Sequence, residues 1–272
     1  MTARGTNLSI HEEDRIAWVT IDRPQDRNSL DSETIAELKQ HLDDAEARGV
    51  RVIVYRGVGE TYFIGGADGV EMYRYASDAA RRFSRTIQAL FDRMEQSPLV
   101  LVAAINGLCF GGGLEFALAC DFRVAAMRAR LGLPEVRLGI IPGGGGTQRL
   151  PRVVGFGKAV EMVLRGRLVS AREALDCSLV HKVVKDDDLM DDVRELSNQL
   201  ISIPAFAQSA AKSAIYASQM KPMDEGLRFE AEQFATCFSQ TYFADTVREQ
   251  LSDGRLETTR ETTVGEEDDV HV

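Results

Sequence analysis

Three glycine-bearing segments hold the residues best suited to chemistry: residues 64–68 read IGGAD, residues 106–116 read NGLCFGGGLEF, and residues 133–149 read LPEVRLGIIPGGGGTQR. Gly111, Gly112 and Gly113 follow an expected strand and precede an expected helix. Backbone N–H groups at a helix start have no intrahelical partner, and glycine lets a ligand reach them without a Cβ in the way. That arrangement suits an anion or an oxyanion. The segment around Gly65 and Gly66 also follows a strand, so it can aim a second N–H at the same oxygen. Two such donors make an oxyanion hole, in which losing one typically costs about 3 kcal/mol of transition-state stabilisation. Taken alone, a triple glycine also reads as a tight turn. Likewise Glu115 alone is a favourable charge in a helix first turn, and Glu135 after Pro134 is a helix-start carboxylate.

Other chemistries are excluded by position. A GxGxxG fingerprint starting at Gly111 would need glycine at Phe116, and a Walker A motif ending at Gly157-Lys158 would need glycine at Arg152. There is no GxSxG elbow, and His11-Glu12 is followed by Arg15 where a zincin would need histidine. Cys109, Cys120, Cys177 and Cys237 are widely spaced, which reads as free thiols and not a zinc or redox site. His41 and His181 have no metal-ligand partner nearby in sequence and read as structural.

The elements that must position these segments alternate. A strand is expected at 16–21, ended by the turn residues 23–26, then a helix from about Ser32 with Asp31 as N-cap and Gly49 at its C-terminal end. Ile35, Leu38, Leu42 and Ala45 recur at helical spacing. Further strands are expected at 50–55, 99–105 and 122–126, with a helix at 113–119, which makes the class α/β. From about Phe156 the pattern turns helical, with helices near 157–164, 186–201, 205–218 and 224–238. The expected organisation is a core over 1–198, a helical region over 199–251, and a polar, acidic, disordered tail over 252–272.

The chain has 272 residues, 44% of them hydrophobic and 27% charged, enough for a large buried core. A net charge of -10 argues against nucleic-acid binding, whose affinity comes mostly from Lys and Arg on phosphates. No run approaches the roughly 18 apolar residues of a membrane span, and residues 1–10 lack a basic segment followed by an apolar one. No membrane association and a cytoplasmic location are therefore expected.

From 1 to about 251 the chain resembles the crotonase superfamily, the enoyl-CoA hydratase/isomerase family. The resemblance is carried by DRPQDRNSL, FIGGADGVEM, NGLCFGGGLEFALACD and LPEVRLGIIPGGGGTQRLPR. It implies a crotonase-like spiral of repeated ββα units with a C-terminal helical trimerisation region, assembled as a homo-oligomer, a trimer or a dimer of trimers. By the same resemblance, Ala67 and Gly112 supply the two N–H groups of a thioester oxyanion hole. Glu115 and Glu135 match the acid/base glutamates of the hydratase branch, Glu115 orienting or activating water and Glu135 donating the proton. The implied substrate is a coenzyme A thioester, with no tightly bound cofactor. Hydration of a 2-enoyl thioester is the implied reaction, with double-bond isomerisation as the alternative.

Arg27 and Asn28, with Ser29 and Leu30, match the loop near the adenine end of coenzyme A. Gly65, Gly66, Asp68, Gly111 and Gly143 belong to the matching substrate-binding segments, although Asp68 also suits a bond to its own loop. Met72 and Tyr73 lie where family members vary with acyl chain, and Gln148 and Arg149 are expected to brace the glycine turn. Two departures stand out. Residues 251–255 (LSDGR) lack the aromatic and lysine that help cover coenzyme A, so either the cofactor grip is weaker and differently built or the acyl group arrives on a carrier protein's phosphopantetheine arm. Gly65 stands where alanine is frequent and is expected only to loosen its loop.

Overall fold

The runs IAWVTI, VIVYRG, VLVAAI and FRVAA are nearly continuous in apolar residues, the pattern of strands covered on both faces. In the computed structural model, which describes residues 6–253 and 255, they build the middle of a six-stranded sheet. Strand β1 (Leu8–Glu13) is its edge, antiparallel to β2 (Ile16–Ile21). Helix α1 (Ser32–Ala47) follows, with the Asp31 side chain accepting from Thr34 N and Gly49 left-handed beyond its end, as expected. Strand β3 (Val52–Gly57) pairs parallel with β2. The chain then leaves the sheet for β4 (Tyr62–Ile64), α2 (Gly69–Met72) and the long α3 (Ser77–Gln96).

The same path repeats. Strand β5 (Val100–Ile105) lies in the six-stranded sheet, β6 (Leu108–Phe110) lies outside it, and α4 (Gly112–Leu118) follows. Next come β7 (Phe122–Ala126) in the sheet, β8 (Arg130–Gly132) outside it, a 3-10 turn at Glu135–Leu138, and helices α5 (Gly146–Val154) and α6 (Phe156–Leu164). Strand β9 (Leu168–Ser170), α7 (Ala171–Asp176) and β10 (Lys182–Val184) complete the core. The sheets run β1-β2-β3-β5-β7-β10 and β4-β6-β8-β9. Each ββα turn thus gives one strand to each sheet, the repeated unit the resemblance implied.

Alternation along each strand divides its side chains between two cores. Ala17, Val19, Ile53, Tyr55, Leu101 and Ala103 face the interior shared with α1, α3, α4 and the smaller sheet. Their neighbours Ile16, Trp18, Val52, Val54, Val100 and Val102 face the other way, onto Leu189, Val193 and Leu200 of α8 (Leu189–Ile201). Burying each large aliphatic side chain contributes about 1.5–3 kcal/mol, so α8 is integral to the sheet. The boundary expected between 198 and 199 therefore falls inside a helix that covers the core. The helices α9 (Ala205–Ala217), α10 (Met223–Cys237) and α11 (Tyr242–Ser252) follow.

Several expectations need correction. The region after Phe156 is not all helical, since β9 and β10 lie within it. Three-residue strands carry no readable period, and they form only because the sheets supply partners. Strand β1 was not expected because its side chains are mostly exposed. Helix α3 was not expected either, although Phe83, Ile87, Leu90, Phe91 and Met94 form a helical stripe that is buried. Residues 256–272, most of the expected tail, lie outside the described residues. Among the described residues no helix is long and apolar enough to cross a membrane, and no group of His, Cys, Asp and Glu is arranged to hold a metal.

Candidate active site

Strands β4, β6 and β8 are adjacent, parallel and in register order, so the loops leaving their C-terminal ends emerge side by side. Those loops carry residues 65–68, 111–112 and 133–135. Crevices outside the carboxyl ends of parallel strands are the usual place for ligands in α/β folds. Here the arrangement brings together Ala67, Gly111, Gly112, Glu115 and Glu135.

Ala67 is held by a parallel bridge to Leu30: Leu30 N donates to Gly66 O at 2.9 Å and Asp68 N donates to Leu30 O at 2.9 Å. In such a bridge the residue between the two bonded neighbours turns its own N–H away from the partner. The Ala67 N–H is accordingly left without an acceptor among the described residues. Gly111 N is engaged, donating to Gly132 O at 2.9 Å, which ties β6 to β8. The next amide, Gly112, opens α4 and likewise has no acceptor among the described residues. The two free amides are neighbours, because a Cβ added at Gly112 would stand 2.9 Å from Ala67 N. Only glycine permits that approach. Gly111 has φ 49° and ψ -122°, a conformation that L side chains rarely adopt, and a Cβ there would stand 2.9 Å from Glu135 Oε1.

Glu115 projects from the first turn of α4 and is 2% exposed. Its Oε1 accepts from Gly144 N at 2.8 Å and Gly146 N at 2.7 Å, so the glycine run 143–146 forms a backbone cradle for one carboxylate oxygen. Burial pushes its pKa up, and these two amides and the charge of Arg149 offset only part of the rise. Glu135 sits in the 3-10 turn over Gly111. Its Oε2 is buried and has no hydrogen-bond partner among the described residues. Burial pushes its pKa from 4.5 to about 7, and the Glu115 charge adds to the rise. The pair therefore couples one carboxylate tied down by amides to one poised to carry a proton near neutrality.

The other expected residues surround this centre. Asn28 is buried, its Oδ1 accepting from Arg23 N at 3.1 Å and its Nδ2 donating to Val58 O at 3.1 Å and Tyr62 O at 2.9 Å. That leaves its side chain no free polar atom. Asp68 accepts from Val70 N and Glu71 N and pairs with Arg23, so it caps α2 and fastens the loop to the 23–31 turn. Burial pushes its pKa up, but these bonds hold it below the usual value. Arg27 is exposed on the same turn, and its carbonyl accepts from Gly65 N at 2.9 Å. Gly65 does more than loosen its loop: a Cβ there would stand 2.8 Å from both Cβ and O of Arg27.

Gly143 is gripped through its carbonyl by Ser84 Oγ at 2.7 Å and Gln88 Nε2 at 2.8 Å, two α3 residues that were not anticipated. Their only signal in sequence is the i, i+4 spacing of polar groups on an otherwise apolar face. Arg149 is the expected brace, binding Glu95, Asp92 and Gly144 O, whereas Gln148 bonds Thr147 at the surface. Met72 packs on the core and Tyr73 is exposed. His181 Nδ1 accepts from Arg123 N; burial and the Arg123 charge push its pKa down to about 4, so it is structural.

Comparison with known proteins matches nearly the whole chain to one family. A family model described as Enoyl-CoA hydratase/isomerase matches residues 11–251. The short-chain-enoyl-CoA hydratase of Clostridium acetobutylicum is 39% identical over 234 residues, 86% of this chain and 90% of that protein. The crotonyl-CoA hydratase of Syntrophomonas wolfei is 35% identical over 234 residues, 86% of this chain and 90% of that protein. The crystal structure of enoyl-CoA hydratase from Bacillus anthracis superposes with a TM-score of 0.86 at 34% identity, covering 92% of this chain and 96% of that one.

Proposed function

The chain belongs to the enoyl-CoA hydratase/isomerase family, and from that premise we propose that it adds water reversibly across the 2,3 double bond of a 2-enoyl-CoA, giving the 3-hydroxyacyl-CoA. The observation that carries this reading is the adjacency of two unengaged amides, Ala67 and Gly112, beside two carboxyl groups with raised pKa values.

Attack of water at C3 moves negative charge onto the thioester oxygen. Ala67 N–H and Gly112 N–H are already oriented when that charge develops, so they stabilise it without reorganisation. Glu115 is the better general base, because the Gly144 and Gly146 amides favour its charged form and Oε2 accepts no bond from a described group. Glu135 is the better acid. Its carboxyl is half protonated near pH 7, has no partner for Oε2 among the described residues, and lies against Gly111. Return of a proton to C2 completes hydration, and the reverse sequence dehydrates.

Retention of both carboxyl groups with separate environments favours hydration over a double-bond shift, which a single carboxylate can perform. The same reading includes self-association, in trimers or pairs of trimers, supported by the exposed Met223, Leu227 and Phe234 on α10, Phe238 at its C-cap, and Tyr242 and Phe243 on α11. The test is turnover of crotonyl-CoA to 3-hydroxybutyryl-CoA by the wild-type protein and by Glu115→Gln and Glu135→Gln. Each variant is expected to lose about 10²–10⁴-fold in kcat, the range for a positioned acid or base. Wild-type rates from both variants would refute the assignment, and conversion of a 3-enoyl-CoA without water uptake would move it to isomerisation.

A further inference from the structure

The carbonyl of Gly143 and the N–H of Gly144 belong to one peptide group, and that group lies between α3 and Glu115. On one side the oxygen accepts from Ser84 Oγ at 2.7 Å and Gln88 Nε2 at 2.8 Å, the two donors also bonded to each other at 3.1 Å. On the other side the N–H donates to Glu115 Oε1 at 2.8 Å. No described peptide is cis, so the C=O and N–H point in opposite directions from a rigid plane. Holding the oxygen therefore aims the hydrogen. A carbonyl that accepts two bonds also makes its own N–H a stronger donor, because hydrogen bonds in a chain polarise one another.

We propose that Ser84 and Gln88 are positioning residues for Glu115, acting through the Gly143–Gly144 peptide to orient the carboxylate and favour its charged form. The inference rests on the reading of Glu115 as the general base. Ser84 and Gln88 stand four residues apart on one face of α3, one helical turn, as a two-donor clamp on a single oxygen requires. The second amide on Glu115, Gly146 N, belongs to a different peptide whose oxygen, on Gly145, accepts from Gln148 N and Arg149 N of α5. Loss of the clamp thus weakens one of two donors. The charged groups around Glu115 are Arg149 from α5, itself paired with Asp92 and Glu95 of α3, and Glu135 from the 3-10 turn.

The experiment is hydration of crotonyl-CoA by Ser84→Ala, Gln88→Leu and the double variant, each also made in the Glu115→Gln background. The expected result for the double variant is a fall in kcat of about tenfold, the scale of one weakened bond to a charged group. KM should stay within about twofold, and the acid limb of kcat/KM should move to higher pH, because a carboxylate with a poorer donor binds its proton more tightly. Ser84→Thr, which keeps the hydroxyl, should restore the rate. In the Glu115→Gln background the same substitutions should leave the residual rate unchanged, since the group they act through is gone. An unmoved pH limb, a rise in KM at constant kcat, or the same tenfold loss without Glu115 would each overturn the proposal. Wild-type turnover by Glu115→Gln alone would overturn it through its premise, and is seen separately from any effect at Ser84 or Gln88. Should the double variant fail to fold, the single variants, each leaving one donor on the Gly143 oxygen, carry the same comparison.

Discussion

The raised pKa of Glu135 has a consequence for stability that can be measured without substrate. In the unfolded chain the carboxyl ionises near 4.5, but in the folded protein burial and the Glu115 charge hold its proton until about pH 7. A folded-state pKa above the unfolded one gives stability that is fully present below about 4.5 and is lost as pH rises through about 7. Each pKa unit corresponds to about 1.4 kcal/mol, so the full shift sets a ceiling of roughly 3 kcal/mol. Glu135 is only partly buried, and solvent screening brings the expected effect to ~1–2 kcal/mol. Glutamine at 135 cannot ionise, so this pH dependence should vanish in Glu135→Gln while the contribution of Glu115 stays common to both proteins. The assay is urea or thermal unfolding of both proteins at matched concentration between pH 5 and 8. The wild type should lose ~1–2 kcal/mol more than the variant over that range, and the variant should be nearly inactive throughout. Parallel stability curves would show that Glu135 titrates as an ordinary surface carboxyl, and the argument for it as a neutral-pH acid would fall.

Two further substitutions separate site from scaffold. Gly112→Ala puts a Cβ 2.9 Å from Ala67 N, so one amide of the pair must move; crotonyl-CoA hydration should fall by about 10²–10³-fold with little change in Tm. Lys212→Met removes the cation that α9 inserts between Asp121 Oδ2, at 2.8 Å, and the carbonyls of Leu99 and Met94, leaving a largely buried carboxylate with Tyr216 and Leu101 N as its remaining partners. A loss of about 3–5 kcal/mol in unfolding free energy is expected, read by denaturant titration.

Much of this site was readable before any coordinates, because its parts are local. A glycine triplet between a strand and a helix announces unpaired amides, Pro-Glu in the third segment announces a carboxylate at a turn, and the apolar runs 16–21, 99–105 and 122–126 announce strands. The resemblance to a family rests on the same short segments. What the letters could not decide is which local parts meet. Strands β4, β6 and β8 are three residues long and have no period of their own, yet their adjacency sets Ala67 beside Gly112 and Glu135 over Gly111. The family loop places Asn28 at the ligand, yet the three hydrogen bonds of its side chain all go to backbone, two of them to residues 30 and 34 positions away. Ser84 and Gln88 were invisible as site residues, since nothing in α3 says that its polar pair will face a peptide some 55 residues onward. Sequence determines which backbone groups are left over and which side chains can ionise. Only packing decides what those groups face, because burial, the cause of both raised carboxyl pKa values, belongs to the assembled fold and not to any segment of it.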